Sequence, residues 1–371
     1  MYSRRTRKEQ LVVDKQRESG RVEQLIADAL DKLAHYLDEN RMIQLKSSVH
    51  TTSINCYVTK FKKWFYILKS RTDYFGKLSS LQFLMSANHN PEDFDKVYEL
   101  LANEASKATF DWYVQYRTAY AFIGEEAYEL FPPQITRKVW NDMKRTISKI
   151  GNNIYQIDDF TIECSVGELI GSFIVQQYKY KNIVEPRADD IVFDIGAYVG
   201  DTALWFSKTV GSQGEVYAFE PEPNNFAKLK TNIERNNITN VIPLQMALSE
   251  TEGRTQIVGR GGVTAITQRG TNTTIEATTI DKFVKVNKVP KVDYIKMDVE
   301  GHELKVLKGA AETIQTYKPR LALSVYHRGD DLVELPKFLL ALNPNYRFYL
   351  RHCTPIWVDT VLYAISVDNH S

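Results

Sequence analysis

Three small groups of residues in this chain have the types and spacing to do chemistry. The first is Asp194-Ile195-Gly196 with Gly200, a D-x-G-x-x-x-G turn that leaves an apolar run and opens onto Asp201-Thr202. Glycine at both positions lets bare backbone and a helix N-terminus approach a ligand. The second is Glu220, closing the run Val216-Tyr217-Ala218-Phe219, where an acid is placed to grip a ribose diol. The third is Asp298 and Glu300 with His327, two carboxylates and an imidazole at the ends of two later apolar runs. Together they describe a nucleoside-cofactor site with groups able to take a proton.

The spacing of the turn decides which nucleoside. Dinucleotide sites use G-x-G-x-x-G, whose second glycine admits a pyrophosphate. Here Gly196 is followed by Ala197-Tyr198-Val199-Gly200, so the G-x-G pair is missing and a nicotinamide dehydrogenase is disfavoured. Asp194 would repel a pyrophosphate but suits the ammonium or sulfonium end of S-adenosylmethionine. A glycine turn serving sheet geometry alone would leave the Asp194 and Glu220 pair unexplained.

The elements that must position these groups follow from periodicity. Strands are expected at Ile191–Ile195, Glu215–Phe219, Val241–Leu248, Val292–Met297 and Arg320–Tyr326, with helices near 201–210, 223–236, 302–315 and 330–342. Two further strand-like runs, Tyr346–Leu350 and Thr360–Val367, close the chain as an antiparallel hairpin. The fold class is α/β: a Rossmann-like, seven-stranded, mostly parallel sheet with an antiparallel last strand, the class I methyltransferase arrangement. Residues 251–280, rich in Gly, Thr and Asn, read as strand and loop. Ile154 to Cys164 reads as a short hairpin around Asp158-Asp159, and 166–178 as a short helix.

The N-terminal part is mainly helical. Val22, Leu25, Ile26, Ala29, Leu30, Leu33 and Leu37 mark a one-faced helix that packs on its own chain or, alternatively, pairs with a second copy as a homodimer. Asn90-Pro91-Glu92-Asp93 has the cap, proline and acids of a helix start, and Phe94, Val97, Leu101, Ala105, Ala108 and Trp112 carry a stripe onward. Pro132-Pro133 ends the block. Ile54 to Leu68 is aromatic-rich and ambiguous. The domains are a flexible basic tail at 1–18, a helical N-terminal domain at 19–150 and a catalytic domain at 151–371.

Composition narrows the class. At 371 residues the chain exceeds one Rossmann-like sheet, and 43% hydrophobic with 25% charged residues are ordinary globular values. A net charge of +1 gives no large phosphate-binding footprint, so no nucleic-acid partner is expected. Cys56, Cys164 and Cys353 are odd in number and scattered, reading as reduced thiols. No apolar run approaches the ~20 residues of a membrane span, and Met1 to Lys8 lacks the apolar core of a signal peptide. A cytoplasmic protein is expected, with peripheral membrane contact left open.

The motifs resemble the FkbM-type S-adenosylmethionine-dependent methyltransferases. They are Phe193-Asp194-Ile195-Gly196-Ala197 with Gly200-Asp201-Thr202, Ala218-Phe219-Glu220-Pro221, Ala247-Leu248-Ser249 with Gly253, and Thr279-Ile280-Asp281-Lys282-Phe283. Ile295-Lys296-Met297-Asp298-Val299-Glu300-Gly301-His302-Glu303 and Leu323-Ser324-Val325-Tyr326-His327-Arg328-Gly329-Asp330-Asp331-Leu332 complete the set. The likeness covers about 175–367. It implies O-methylation, typically of a sugar hydroxyl on a glycan, a polysaccharide precursor or a glycosylated natural product. Rival acceptors are a protein, a lipid or another natural product, and the rival from another class is a non-catalytic cofactor-binding subunit of a glycan-synthesis complex.

On this reading the cofactor meets Asp194, Gly196, Ala197, Gly200, Asp201, Thr202, Glu220, Ala247, Leu248 and Asp298, with Gln177 and Tyr178 closing over it. His327, whose free pKa near 6.5 suits a base at neutral pH, is the candidate proton acceptor or else a loop histidine satisfied by hydrogen bonds, with Asp298 and Glu300 as candidate catalytic acids. Either acid could instead cap the helix starting near His302. No metal is expected; if one is present, Asp298, Asp330 and Asp331 are the hard oxygen ligands that would suit Mg²⁺, whereas the plainer reading has Asp330-Asp331 capping a helix. Asn343-Pro344-Asn345-Tyr346 looks like the N-P-P-Y loop of nitrogen methyltransferases but does not follow the fourth strand, so it is set aside.

Overall fold

The computed structural model describes residues 20–39, 74–260, 263–267 and 274–369. The basic tail, the segment 54–68 and Cys56 lie outside them. Helix α1 (Arg21–Glu39) carries the stripe read from the sequence, and Val22, Ile26, Ala29, Leu33 and Leu37 are buried on their own chain. The Val, Ile and Leu side chains among them each contribute roughly 1.5–3 kcal/mol of burial. Next come α2 (Tyr74–His89), α3 (Pro91–Leu100, with Asn90 at its cap) and α4 (Glu104–Ile123). The stripe from Phe94 to Trp112 is expected to run onward through a mainly helical block; it does so, but not in a single helix. The chain breaks at residues 101–103, where Asn103 restarts it by accepting from Ser106 N at 2.9 Å. The break frees Leu101 to bridge Phe348 and Ala102 N to donate to Phe348 O.

After Pro132-Pro133 one more helix forms, α5 (Arg137–Lys144), followed by a three-stranded meander β1 (Ser148–Gly151), β2 (Ile154–Ile157) and β3 (Phe160–Glu163). Helix α6 (Val166–Leu169) continues as a π-helical turn to Val175 and stops at Gln176, whose φ is 50°.

The α/β part runs β4 (Ile191–Ile195), α7 (Asp201–Val210), β5 (Glu215–Phe219), α8 (Pro223–Arg235) and β6 (Val241–Leu244). The single strand expected over 241–248 is split. Its last part, β7 (Ala247–Leu248), leaves to join β8 (Gly253–Arg260), β9 (Val263–Thr267) and β10 (Thr274–Thr278) in a second sheet. The core resumes with α9 (Ile280–Val286), β11 (Tyr294–Met297), α10 (Glu303–Lys308), α11 (Ala311–Tyr317), β12 (Arg320–Ser324), α12 (Asp331–Leu342), β13 (Tyr346–His352) and β14 (Thr360–Ser366).

The main sheet has the order β13-β14-β12-β11-β4-β5-β6, with β14 antiparallel to both neighbours, which is the expected class I arrangement. Alternation along β4 sends Phe193 and Ile195 to one face and Val192 to the other. The Phe193 face continues into the N-terminal helices without a gap, so Phe83, Phe94, Phe110 and Tyr113 share one core with Phe348 and Leu350.

Candidate active site

The carboxyl ends of β4, β5, β11 and β12 open into a cavity of about 1020 Å³. One half is built by the glycine turn and its neighbours. Gly196 has φ +78°, and a Cβ there would lie 1.9 Å from the Asp298 carbonyl oxygen. The glycine therefore lets the turn pack on the end of β11, a reason beyond approach to a ligand. Gly200, φ +93°, clears Leu229 in the same way. Tyr198 N donates to Glu220 Oε2 at 2.9 Å and Glu222 N to Oε1 at 2.9 Å, which fixes the acid at the tip of β5. Burial nevertheless raises the Glu220 carboxyl to about 7.

The expected cofactor residues separate into two sets. Gly196, Asp201, Thr202, Glu220, Ala247, Leu248 and Asp298 line the cavity, as do Tyr198, Phe219, Asn225 and Met246. Asp194, Ala197 and Gly200 do not. Asp194 points into the protein, where it accepts from Thr202 Oγ1 at 2.6 Å and pairs with Lys296 Nζ at 3.0 Å. Lys296 also donates to Gly196 O at 2.5 Å. The side chain at Asp194 projects from the even-numbered face of β4, beneath the turn, so it braces the loop. Lys296, 2% exposed, was visible only as one letter of a motif, because its partner sits on another strand. Asp201 accepts from Ser172 Oγ of the π-helical turn at 2.5 Å, and burial raises it to about 7. Gln177 lines the cavity, while the Tyr178 hydroxyl donates to Asp298 Oδ2 at 2.8 Å.

The other half holds an imidazole among carboxylates. Asp298, Glu300 and His327 all line the cavity, so neither acid is spent on a helix cap. Glu303, which sequence reasoning passed over, is 0% exposed; it accepts from Val299 N at 3.0 Å and meets His327 Nδ1 at 2.7 Å. A carboxylate can only accept, so Nδ1 carries the proton of that bond and Nε2 faces Asp298 Oδ1 at 3.4 Å and Glu300 Oε2 at 3.5 Å. Burial lowers the imidazole pKa, but Glu303, Asp298 and Glu300 outweigh it and hold His327 at about 10. The ordinary value near 6.5 assumed from the sequence is thus overturned by three neighbouring acids. Burial lifts Glu300 to about 7 against the pull of His327, and its φ of 54° is a strained conformation for a residue other than glycine.

The alternative metal set is not assembled. Asp331 accepts from Arg328 N at 2.7 Å and Asp330 pairs with Arg328 Nε at 3.3 Å, both in the turn that starts α12 and outside the cavity lining. Among the described residues, the acids and histidine with ligand atoms within 4.8 Å of one another are Asp298, Glu303 and His327.

The N-terminal helices hold the backbone that carries His327. Tyr113 OH donates to Val325 O (3.2 Å), Arg117 to Tyr326 O (3.3 Å), and Ser79 Oγ lies 3.0 and 3.2 Å from Tyr326 O and His327 O. Arg117, fully buried, also donates to Ser79 Oγ at 2.7 Å.

Comparison with known proteins joins this geometry to a family. The Methyltransferase FkbM domain matches residues 194–353, which span the glycine turn, both acids and His327. This stretch is similar to an FkbM methyltransferase domain. The hexuronic acid methyltransferase AglP of Haloferax volcanii is 33% identical over 159 residues, covering 42% of this chain and 63% of the relative. The crystal structure of Methyltransferase FkbM from Methylobacillus flagellatus KT superposes with a TM-score of 0.52 at 22% identity, over 76% of this chain and 60% of that one. The chain thus spans under two thirds of the length of these two relatives. The structural likeness shows the class I methyltransferase fold. No helix among the described residues is long and apolar enough to cross a membrane.

Proposed function

We propose that the protein is an S-adenosylmethionine-dependent O-methyltransferase acting on a sugar hydroxyl. The observation that carries this is the contact of Gly196 with the Asp298 carbonyl, which sets the glycine turn beside the His327 cluster in one cavity. The residues present fit the methyl donor. Glu220 accepts the ribose hydroxyls, Phe219, Met246, Ala247 and Leu248 flank the adenine, and Gly196, Tyr198, Asp201 and Thr202 receive the methionine end. Asp194 serves that end indirectly, through Thr202 and Lys296. The name of AglP supports a sugar as acceptor.

When bound, S-adenosylmethionine supplies a methyl group on a sulfonium that is already a good leaving group. The protein has to hold the acceptor oxygen in line and take its proton. His327 Nε2 is that acceptor, with Nδ1 fixed on Glu303. At neutral pH in the free protein the imidazole is protonated. A cation entering the cavity competes for the same carboxylates and pushes His327 toward the neutral form. Asp298 and Glu300 then orient the acceptor hydroxyl.

Titration with S-adenosylhomocysteine and with NAD tests the cofactor. Micromolar binding of the first and none of the second is expected, and the reverse sinks the proposal. Labelled methyl transfer to hexose- and hexuronate-terminated glycans then tests the acceptor. Transfer by the wild type that survives His327→Gln unchanged would remove the base assignment.

A further inference from the structure

The loop joining β13 to β14, residues 353–359, supplies a cavity wall that the chemistry above does not use. Thr354, Trp357 and Asp359 line it there. The loop is braced from within: Cys353 N donates to Asp359 O at 3.0 Å, and Thr354 Oγ1 donates to Val358 O at 2.8 Å and Ile356 O at 3.2 Å. Asp359 has φ 64°, a left-handed conformation that aspartate adopts more readily than most residues. Its carboxylate lies 3.5 Å from the Tyr326 hydroxyl, and the same hydroxyl lies 3.5 Å from Asp298. Burial raises Asp359 to about 7, so the fold offers this acid little compensation of its own. Trp357 is held edge-on to Tyr326 at 6.1 Å with the Arg117 guanidinium over one face at 5.5 Å, which fixes its ring and leaves the opposite face for a ligand. Gln82 of α2 also lines the cavity.

We propose that Trp357 and Asp359 form the acceptor subsite for an uncharged pyranose ring. The ring's apolar face lies on the indole, Asp359 accepts from a vicinal diol, and Gln82 hydrogen-bonds the rim. This rests on the methyl-transfer reading and names its substrate class. An indole offers a flat apolar surface with the width of a sugar ring, and a carboxylate can accept from two adjacent hydroxyls, the role proposed above for Glu220. The two carboxylates stand one tyrosine hydroxyl apart. A ring bonded to Asp359 therefore presents a neighbouring hydroxyl to Asp298 and His327. The ring is uncharged where it meets the subsite, because a sugar carboxylate placed there would face Asp298, Glu300 and Asp359 together.

Saturation-transfer NMR with methyl β-glucopyranoside and methyl β-glucuronide tests this, with and without S-adenosylhomocysteine. The glucoside is expected to bind the wild type and to bind Trp357→Ala and Asp359→Asn at least tenfold more weakly, with Trp357→Phe close to wild type. Asparagine tolerates the positive φ of residue 359, so a loss in that variant is a loss of the carboxylate. Affinity for S-adenosylhomocysteine should stay within twofold in all three. Equal glucoside binding by wild type and both weakened variants, tighter binding of the glucuronide, or no glycoside binding at all would overturn the subsite. Loss of S-adenosylhomocysteine binding by the wild type instead strikes the methyl-donor reading, and the glycoside arms still judge the subsite.

Discussion

The two halves of the cavity are built in opposite ways. The half proposed for the cofactor centres on backbone: a turn threaded through Gly196 and Gly200 and pinned by Tyr198 N on Glu220, all within residues 196–220. The half proposed for the acceptor is made of side chains brought from far apart, from Ser79 and Gln82 on α2, His327 after β12 and Trp357 on the last loop. Backbone sites tolerate little variation, because a Cβ or a register slip destroys them. A side-chain site can be rewritten one residue at a time.

The largest test of the contrast is Gly196→Ala. With positive φ and a contact of 1.9 Å to Asp298 O, the variant is expected to lose S-adenosylhomocysteine binding by more than about 100-fold and to melt several degrees lower. Binding within threefold of wild type would show that the turn is not rigid. Next comes His327→Gln, expected to lower methyl transfer about 100- to 10,000-fold with donor affinity held. Because a base must be unprotonated, the wild-type rate should climb with pH above neutrality, and the variant should lose that limb; a flat wild-type profile from pH 7 to 10 breaks the assignment.

The same group links stability to pH. Its folded pKa of about 10 exceeds the ordinary value near 6.5, so its stabilisation is complete below about 6.5 and is lost as pH rises through about 10. Thermal melts of wild type and His327→Gln should converge toward pH 10. A smaller effect is expected at Glu220. With a carboxyl near 7 in the free protein, it is about one-tenth ionised at pH 6. S-Adenosylhomocysteine should therefore bind about tenfold more weakly at pH 6 than at pH 8, measured by calorimetry, and Glu220→Gln should flatten the dependence. The smallest is Ser79→Ala, which strips a partner from buried Arg117 and is expected to cost about 1–3 kcal/mol of stability while leaving donor affinity unchanged.

What the sequence made legible follows the same division. Glycine spacing and an acid at a strand tip survive translation into structure because the constraint is local, so the turn, Glu220 and the strand order were readable. Asp194, expected to meet the cofactor, instead faces Thr202 and Lys296, a pairing the sequence does not reveal because Lys296 comes from β11, about a hundred residues later. Glu303 and Asp359 gave no signal, being single acids whose meaning comes from His327 and Tyr326 in other elements. The strand over 241–248 was drawn as one piece because the exit of β7 into a second sheet depends on its partner β10, which follows about thirty residues later.

The bridge between Leu101 and Phe348 has a consequence for how the molecule is made. Leu350 N donates to Ser106 Oγ and Tyr113 to Val325 O, so the surfaces of α3 and α4 that emerge early from the ribosome are completed only by strands synthesised more than two hundred residues later. Until then Phe94, Phe110 and Tyr113 lack the sheet they pack against. Closure over such sequence separations is slow, and apolar surface left open meanwhile invites aggregation. A nascent chain stalled before β13 is therefore expected to depend on chaperones.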